Sequence, residues 1–271
     1  MIMKSKQIII SMLIILLFSN CKDDEVSNPT VDTAKLKIIF LHSINNQTVE
    51  LNKNIYINEA GNHYEINDIM YFISDVKLHQ KNGNSIFIDK NTIAHYVDYS
   101  IPSTLSLTFA DAIPTAVYDS ISFVFGISKN KNISNSFVNP PESNMFWPEI
   151  LGGGYHYMKI NGKWLNQQNT SVAFNFHFGI GQIYTDTITY NVNTITSYVQ
   201  NYFTVSLPLN SFQLTKNQLN TINLEMAIDK WFTTPHVWNH NYWGSSIMQN
   251  QRAQQTIREN AFDVFRIANS R

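Results

Sequence analysis

The stretch Val172-Ala173-Phe174-Asn175-Phe176-His177-Phe178-Gly179 decides the fold class. Successive side chains of a strand point to opposite faces, so Phe174, Phe176 and Phe178 line one face while Asn175, His177 and Gly179 share the other. Such alternation marks a strand with one face in a core and the other toward a more polar environment. Gly179 and Gly181 just beyond it permit close approach by a ligand or another backbone.

Working outward, the same period of two recurs along most of the chain. Leu36, Ile38, Phe40 and His42 fall on one face of the first run. Further runs cover Val49 to Ile57, Met70 to Lys77, Ile93 to Tyr99, Leu105 to Phe109, Ser120 to Ile127 and Tyr155 to Ile160. Tyr202 to Leu209 and Thr221 to Ile228 complete the series. Lys81-Asn82-Gly83-Asn84 stands between two of these runs, and Asn-Gly there is a hairpin signal. Many short strands punctuated by Asn, Gly and Pro predict an all-β fold, a β-sandwich of antiparallel strands. One departure lies near the end, where Ile247, Ala253, Ile257 and Ala261 are spaced for a short C-terminal helix within Ser246 to Phe262.

Lys129 to Pro148 differs in kind, being rich in Asn and Pro and closing on Met145-Phe146-Trp147. A loop of this length in a compact domain is usually functional, and its terminal aromatics predict that it packs back on the body.

The first residues carry an address. Lys4 and Lys6 precede an apolar run from Ile8 to Phe18, shorter than the roughly 20 residues of a spanning helix, which reads as a secretory signal. Leu17-Phe18-Ser19-Asn20-Cys21 resembles a bacterial lipobox, in which the cysteine is acylated and becomes the first mature residue. The expected organisation is a signal peptide over 1–20, a flexible tether over 21–33 and one domain over 34–271. Tethering at Cys21 predicts an outer-membrane lipoprotein facing the cell surface or the periplasm. The acidic run Asp23-Asp24-Glu25 resembles a surface-export signal, and a solvated periplasmic linker is the alternative. Because Cys21 is the sole cysteine, stability must come from the packed core, without intramolecular disulfides.

Composition narrows the function further. Apolar residues make up 44% of the chain, enough for a full core, and charged residues only 14%, against about 25% in typical domains. With a net charge of -1 the chain carries no electrostatic footprint for nucleic acid. No hydrolase elbow, phosphate loop, dinucleotide fingerprint or zinc-protease motif is present. With the thiol committed to lipid, imidazoles are the remaining candidate ligands. His177 comes first. His42 ends the first strand near a rim. His156 alternates with Met158, which would set imidazole and thioether side by side, a soft donor pair suited to copper. His236 and His240 are four apart, but Pro235 and dense aromatics argue for a loop in which the two need not converge.

Several segments together resemble the MbnP-like copper-binding domain family in order and spacing. They are Met145-Phe146-Trp147, Gly154-Tyr155-His156-Tyr157-Met158-Lys159-Ile160-Asn161-Gly162 and Phe176-His177-Phe178-Gly179. Ile69 to Leu78, Phe123 to Ile127, Asp229 to Phe232 and Asn260 to Phe265 look like its other strands and closing segments, so the likeness spans nearly the whole mature chain. The resemblance implies an extracytoplasmic β-sandwich with one copper ion, bound by histidines and by a kynurenine that a di-haem partner of the MauG type forms from tryptophan. By position it implies that His177 is a ligand, His42 a second one, and Trp147 part of the tryptophan motif. This chain departs from the pattern at Glu149, where a second tryptophan often stands. The expected function is non-enzymatic copper binding for scavenging or handover. The alternative is an adhesion or interaction domain using exposed aromatics such as Tyr242 and Trp243.

Overall fold

The computed structural model describes residues 32–109, 113–186 and 188–268. Cys21, the expected signal peptide and nearly all of the expected tether lie outside the described residues. The main strands are β1 (Thr33–Ile44), β2 (His63–His79), β3 (His95–Asp98), β4 (Val117–Phe125), β5 (Met158–Leu165) and β6 (Ser171–Phe178). They continue with β7 (Gly181–Tyr184), β8 (Ile195–Val199), β9 (Phe203–Gln213), β10 (Leu219–Ala227) and β11 (Phe265–Ala268).

These strands form a β-sandwich. The larger sheet runs β6-β5-β2-β4-β9 and the smaller one β11-β10-β1, with short strands added at β1 and β2. Their facing sides interdigitate. Phe40 of β1 meets Tyr71 of β2 edge-on with ring centroids 6.4 Å apart, and Phe125 of β4 meets Phe265 of β11 at 5.2 Å. One pair departs from the antiparallel expectation: β1 and β10 run parallel, from Lys35 opposite Leu219 to Ser43 opposite Ala227. They are far apart in sequence, so no tight turn forces them antiparallel.

Most of the expected strands form where the alternation lies. The run from Val49 to Ile57 does not: only Gln47–Thr48 and Tyr56–Ile57 are strands, with turns between, and Asn52 sits at φ 59°. Conversely β2 starts well before the expected run from Met70, reaching back through Asn67-Asp68 to His63. The Asn-Gly hairpin forms as expected, with Gly83 at φ 87° and Lys77 to His79 pairing with Ser85 to Phe87.

The row Val97, Tyr71, Met158, Phe178 crosses the large sheet on its inner face, and all four side chains are buried in the main core. The next row, Asp98, Met70, Lys159, His177, therefore lies on the opposite, outer face. That outer face is not bare. The long loop before β5 folds over it and builds a second apolar cluster in which Met145, Ile127 and Tyr155 pack around Phe72. Phe137 of the loop stacks on Phe72 at 5.2 Å. The helix Gln251–Asn260 is capped by Asn250, whose side chain accepts from the Ala253 amide, and it buries Ala253, Gln254, Ile257 and Asn260.

Candidate functional site

The loop returns to the sheet through Gly152, Gly153 and Gly154, all at positive φ (119°, 70° and 77°), where side chains are strained. The return lets the Trp147 amide donate to Gly154 O at 2.8 Å and seats the indole, fully buried, with its Nε1 donating to Leu151 O at 3.0 Å. The indole lies over Gly179, where an added Cβ would stand 2.6 Å from Trp147 Cζ3. Its other neighbour is His156, with ring centroids 4.6 Å apart.

His156 in turn meets His177, their centroids 5.0 Å apart and their planes at 88°. The hydrogen bonds around each ring fix which nitrogen carries the proton. His156 Nδ1 donates to Met145 O at 2.9 Å, a carbonyl being only an acceptor, which leaves the Nε2 lone pair free. For His177 the chain of partners is longer. Asn161 Nδ2 donates to Asp68 Oδ2 at 3.2 Å, so Asn161 turns Oδ1 toward His177 and accepts from Nε2 at 2.8 Å. The Nδ1 lone pair of His177 is then free. Both free nitrogens are buried and have no hydrogen-bond partner. Two neutral imidazoles are thus oriented by hydrogen bonds on their protonated nitrogens, as metal-ligating histidines are.

The electrostatics keep them neutral. Burial first, then the neighbouring His177 and Lys159, hold His156 well below the usual imidazole pKa, against its hydrogen bonds to the loop backbone. Burial and then Lys159 lower His177 to about 4. The helix completes the frame: Gln254, itself fully buried, donates to His177 O at 2.7 Å and accepts from the Gly179 amide at 3.0 Å, clamping the end of β6.

The other candidate residues are placed elsewhere. His42 lies between Tyr71 and Tyr99, with Nε2 3.1 Å from Tyr71 Oη. Because Tyr71 is on the inner face of the large sheet and His177 on the outer, the sheet itself separates His42 from His177. His156 and Met158 do not share a face: the chain between Tyr155 and Met158 departs from alternation, sending Met158 into the core and His156 to His177. His240 stacks on Phe174 at 4.4 Å and on Trp164 at 5.6 Å, whereas His236 pairs at the surface with Glu259, so these two do not converge. Other buried imidazole nitrogens without a hydrogen bond stand singly or, for His95, 3.6 Å from the Asp89 carboxylate. Tyr242 and Trp243 border a surface cleft of about 580 Å³ with Tyr184, Tyr190 and Arg252.

Among the described residues no group of three or more His, Cys, Asp or Glu side chains could hold a metal. Two imidazoles fall short of the four ligands of structural zinc and lack the oxygens calcium needs, but suit a soft ion of low coordination number. No helix among the described residues is long and apolar enough to cross a membrane.

A family model described as MbnP matches residues 33–249. The solved structure of MbnP from Methylosinus trichosporium is similar at 14% sequence identity, over 76% of this chain and 80% of that chain, with a TM-score of 0.49. No curated protein matches.

Proposed function

The chain belongs to the MbnP family, and on that premise we propose that it is a non-enzymatic, lipid-anchored copper-binding protein held outside the cytoplasm. The observation that supports the site is the meeting of two imidazoles, buried His156 and half-buried His177, each with its protonated nitrogen already engaged and its lone pair inaccessible and unpartnered. His156 Nε2 and His177 Nδ1 would hold the ion. Asn161 and Asp68 orient one ring, the Met145 carbonyl the other, and Trp147 walls His156. Bound copper would supply a soft, redox-active cation. The chain's own contribution is to keep both rings neutral and to exclude water from one side. His42 is not part of this site.

A copper titration tests the proposal. His156→Ala and His177→Ala are each expected to lower affinity roughly a hundredfold or more, while His42→Gln leaves it unchanged. Loss on changing His42, with none on changing His156, would move the site to the inner face. Mass spectrometry of Trp147 reports separately on any oxidation to kynurenine by a di-haem partner.

The anchor is the second element of the proposal and rests on the lipobox-like sequence before Cys21. Cys21→Ser is expected to abolish lipid labelling and shift the exported protein from the membrane fraction to the soluble one. Unchanged membrane retention without lipid labelling would argue for another means of attachment.

A further inference from the structure

Away from the two imidazoles, the surface cleft of about 580 Å³ beside Tyr242 and Trp243 falls in the size class of small-molecule sites, about 300 to 1,000 Å³. Part of its lining comes from the short helix His240–Trp243. There Trp243 stacks on buried Trp238, with centroids 4.9 Å apart and planes at 18°, and Tyr242, 63% exposed, meets Trp243 edge-on at 4.8 Å. Another part is the pair Tyr184 and Tyr190, edge-on at 5.5 Å. Amides hold these two in place: Gln249 Nε2 donates to Tyr184 Oη and to Tyr190 O, both at 3.3 Å, and Tyr184 Oη donates to Gln182 Oε1 at 3.3 Å. Gln251, also in the lining, exchanges hydrogen bonds with Asn201 at 3.1 and 3.2 Å and retains one amide hydrogen and one lone pair.

The charge of the cleft is one-sided. Among the described residues Arg252 is the one charged member of the lining, its guanidinium carbon 6.0 Å from the centre of the Trp243 ring. No ion pair among the described residues engages it. Gln255 and Thr256 occupy the helix positions from which an acid could reach it. Asp186, close to Tyr184 in sequence, closes a turn by accepting from the Ile188 and Thr189 amides.

We propose that this cleft binds an acidic saccharide, with pyranose rings against its aromatic side chains and a carboxylate on Arg252. The weakly positive C–H face of a sugar ring packs on the negative face of an aromatic ring. Sugar hydroxyls both donate and accept, and so do the tyrosine hydroxyls and side-chain amides of the lining. A guanidinium over a ring keeps its N–H edge for paired bonds to a carboxylate. Because the lining holds no acid, an anionic ligand meets attraction without repulsion, and a cationic one the reverse. Copper at the imidazole pair plays no part in this binding.

The experiment is calorimetric titration of the purified protein with trimers of galacturonate, mannuronate and guluronate. Cellotriose and maltotriose serve as neutral controls, and benzoate as a flat aromatic acid. At least one acidic trimer is expected to bind roughly 10- to 100-fold tighter than the neutral trimers, the range for a charge-assisted pair, and to weaken as salt rises. Arg252→Gln should remove that advantage. Arg252→Lys, which keeps the charge without the fork, should remove part of it. Tyr242→Ala should lower affinity roughly three- to tenfold. Both side chains are exposed, so the melting temperatures of the variants should match the wild type. Failure of every acidic trimer to bind would overturn the proposal. So would equal affinity for acidic and neutral trimers, tighter binding of benzoate, or acidic-trimer binding that survives both Arg252→Gln and Tyr242→Ala.

Discussion

Acidifying the metal-free protein from pH 7.5 to 4.5 is expected to remove about 5 kcal/mol of folding stability through two histidines outside the proposed site. Burial, opposed by Glu225, holds His42 at about 4, and burial alone holds His240 at about 3. In the unfolded chain both return to the ordinary value of about 6.5. Between these limits the unfolded state takes up protons that the folded state refuses, so each group favours unfolding increasingly as pH falls. The stability that the neutral rings contribute is present in full above pH 6.5. It is lost at about 1.4 kcal/mol per pH unit for each ring until the folded pKa is reached. His156 and His177 act in the same direction. A loss of this size matches the low end of domain stability, about 5 to 15 kcal/mol, so the denaturant midpoint should fall sharply by pH 4.5. Denaturant midpoints measured at half-unit pH steps check it, and His240→Phe should flatten the slope. Stability constant from pH 7 to 5 would mean that these rings are charged in the folded protein or are not buried.

That sensitivity arises because the aromatic core encloses imidazoles, a property only partly legible in the sequence. The face of His177 is legible, since Phe174, Phe176 and Phe178 leave it no choice once β6 is a strand. So is the return of the long loop, which Met145-Phe146-Trp147 announces by bulk alone. The second imidazole is harder. Alternation sets His156 beside Met158, but the backbone after three consecutive glycines does not alternate, and periodicity carries no information where a strand has not yet begun. His42 misleads for the opposite reason: its strand is regular, yet the sequence does not say on which side of the neighbouring sheet it lands. Gln254 is illegible in the sequence, because a glutamine on an amphipathic helix gives no sign that its amide will clamp the chain at His177 and Gly179, 75 or more residues away.

Trp147→Ala is expected to cost about 3 to 5 kcal/mol, the range for removing a fully buried indole; Leu151 O keeps its second donor, Gln182 Nε2 at 2.9 Å, so no unpaired carbonyl adds to the loss. The same residue sets a second cost that can be measured against the first. Gly179 adopts a backbone conformation open to any residue, so alanine there meets no conformational strain. What it meets is the indole, at 2.6 Å from Cζ3 and 2.7 Å from Cε3. Gly179→Ala alone should therefore destabilise by about 1 to 3 kcal/mol through overpacking. In the Trp147→Ala background the obstacle is gone, and the new methyl enters the cavity the indole has left. The second substitution should then be neutral or stabilising, giving a coupling energy of about 1 to 3 kcal/mol between the two positions. Urea unfolding of the four proteins closes the cycle. Additive losses would show that Trp147 does not rest on Gly179, and the wall beside His156 would then have to be rebuilt from other residues. A coupled loss confined to this pair ties the tryptophan to site architecture.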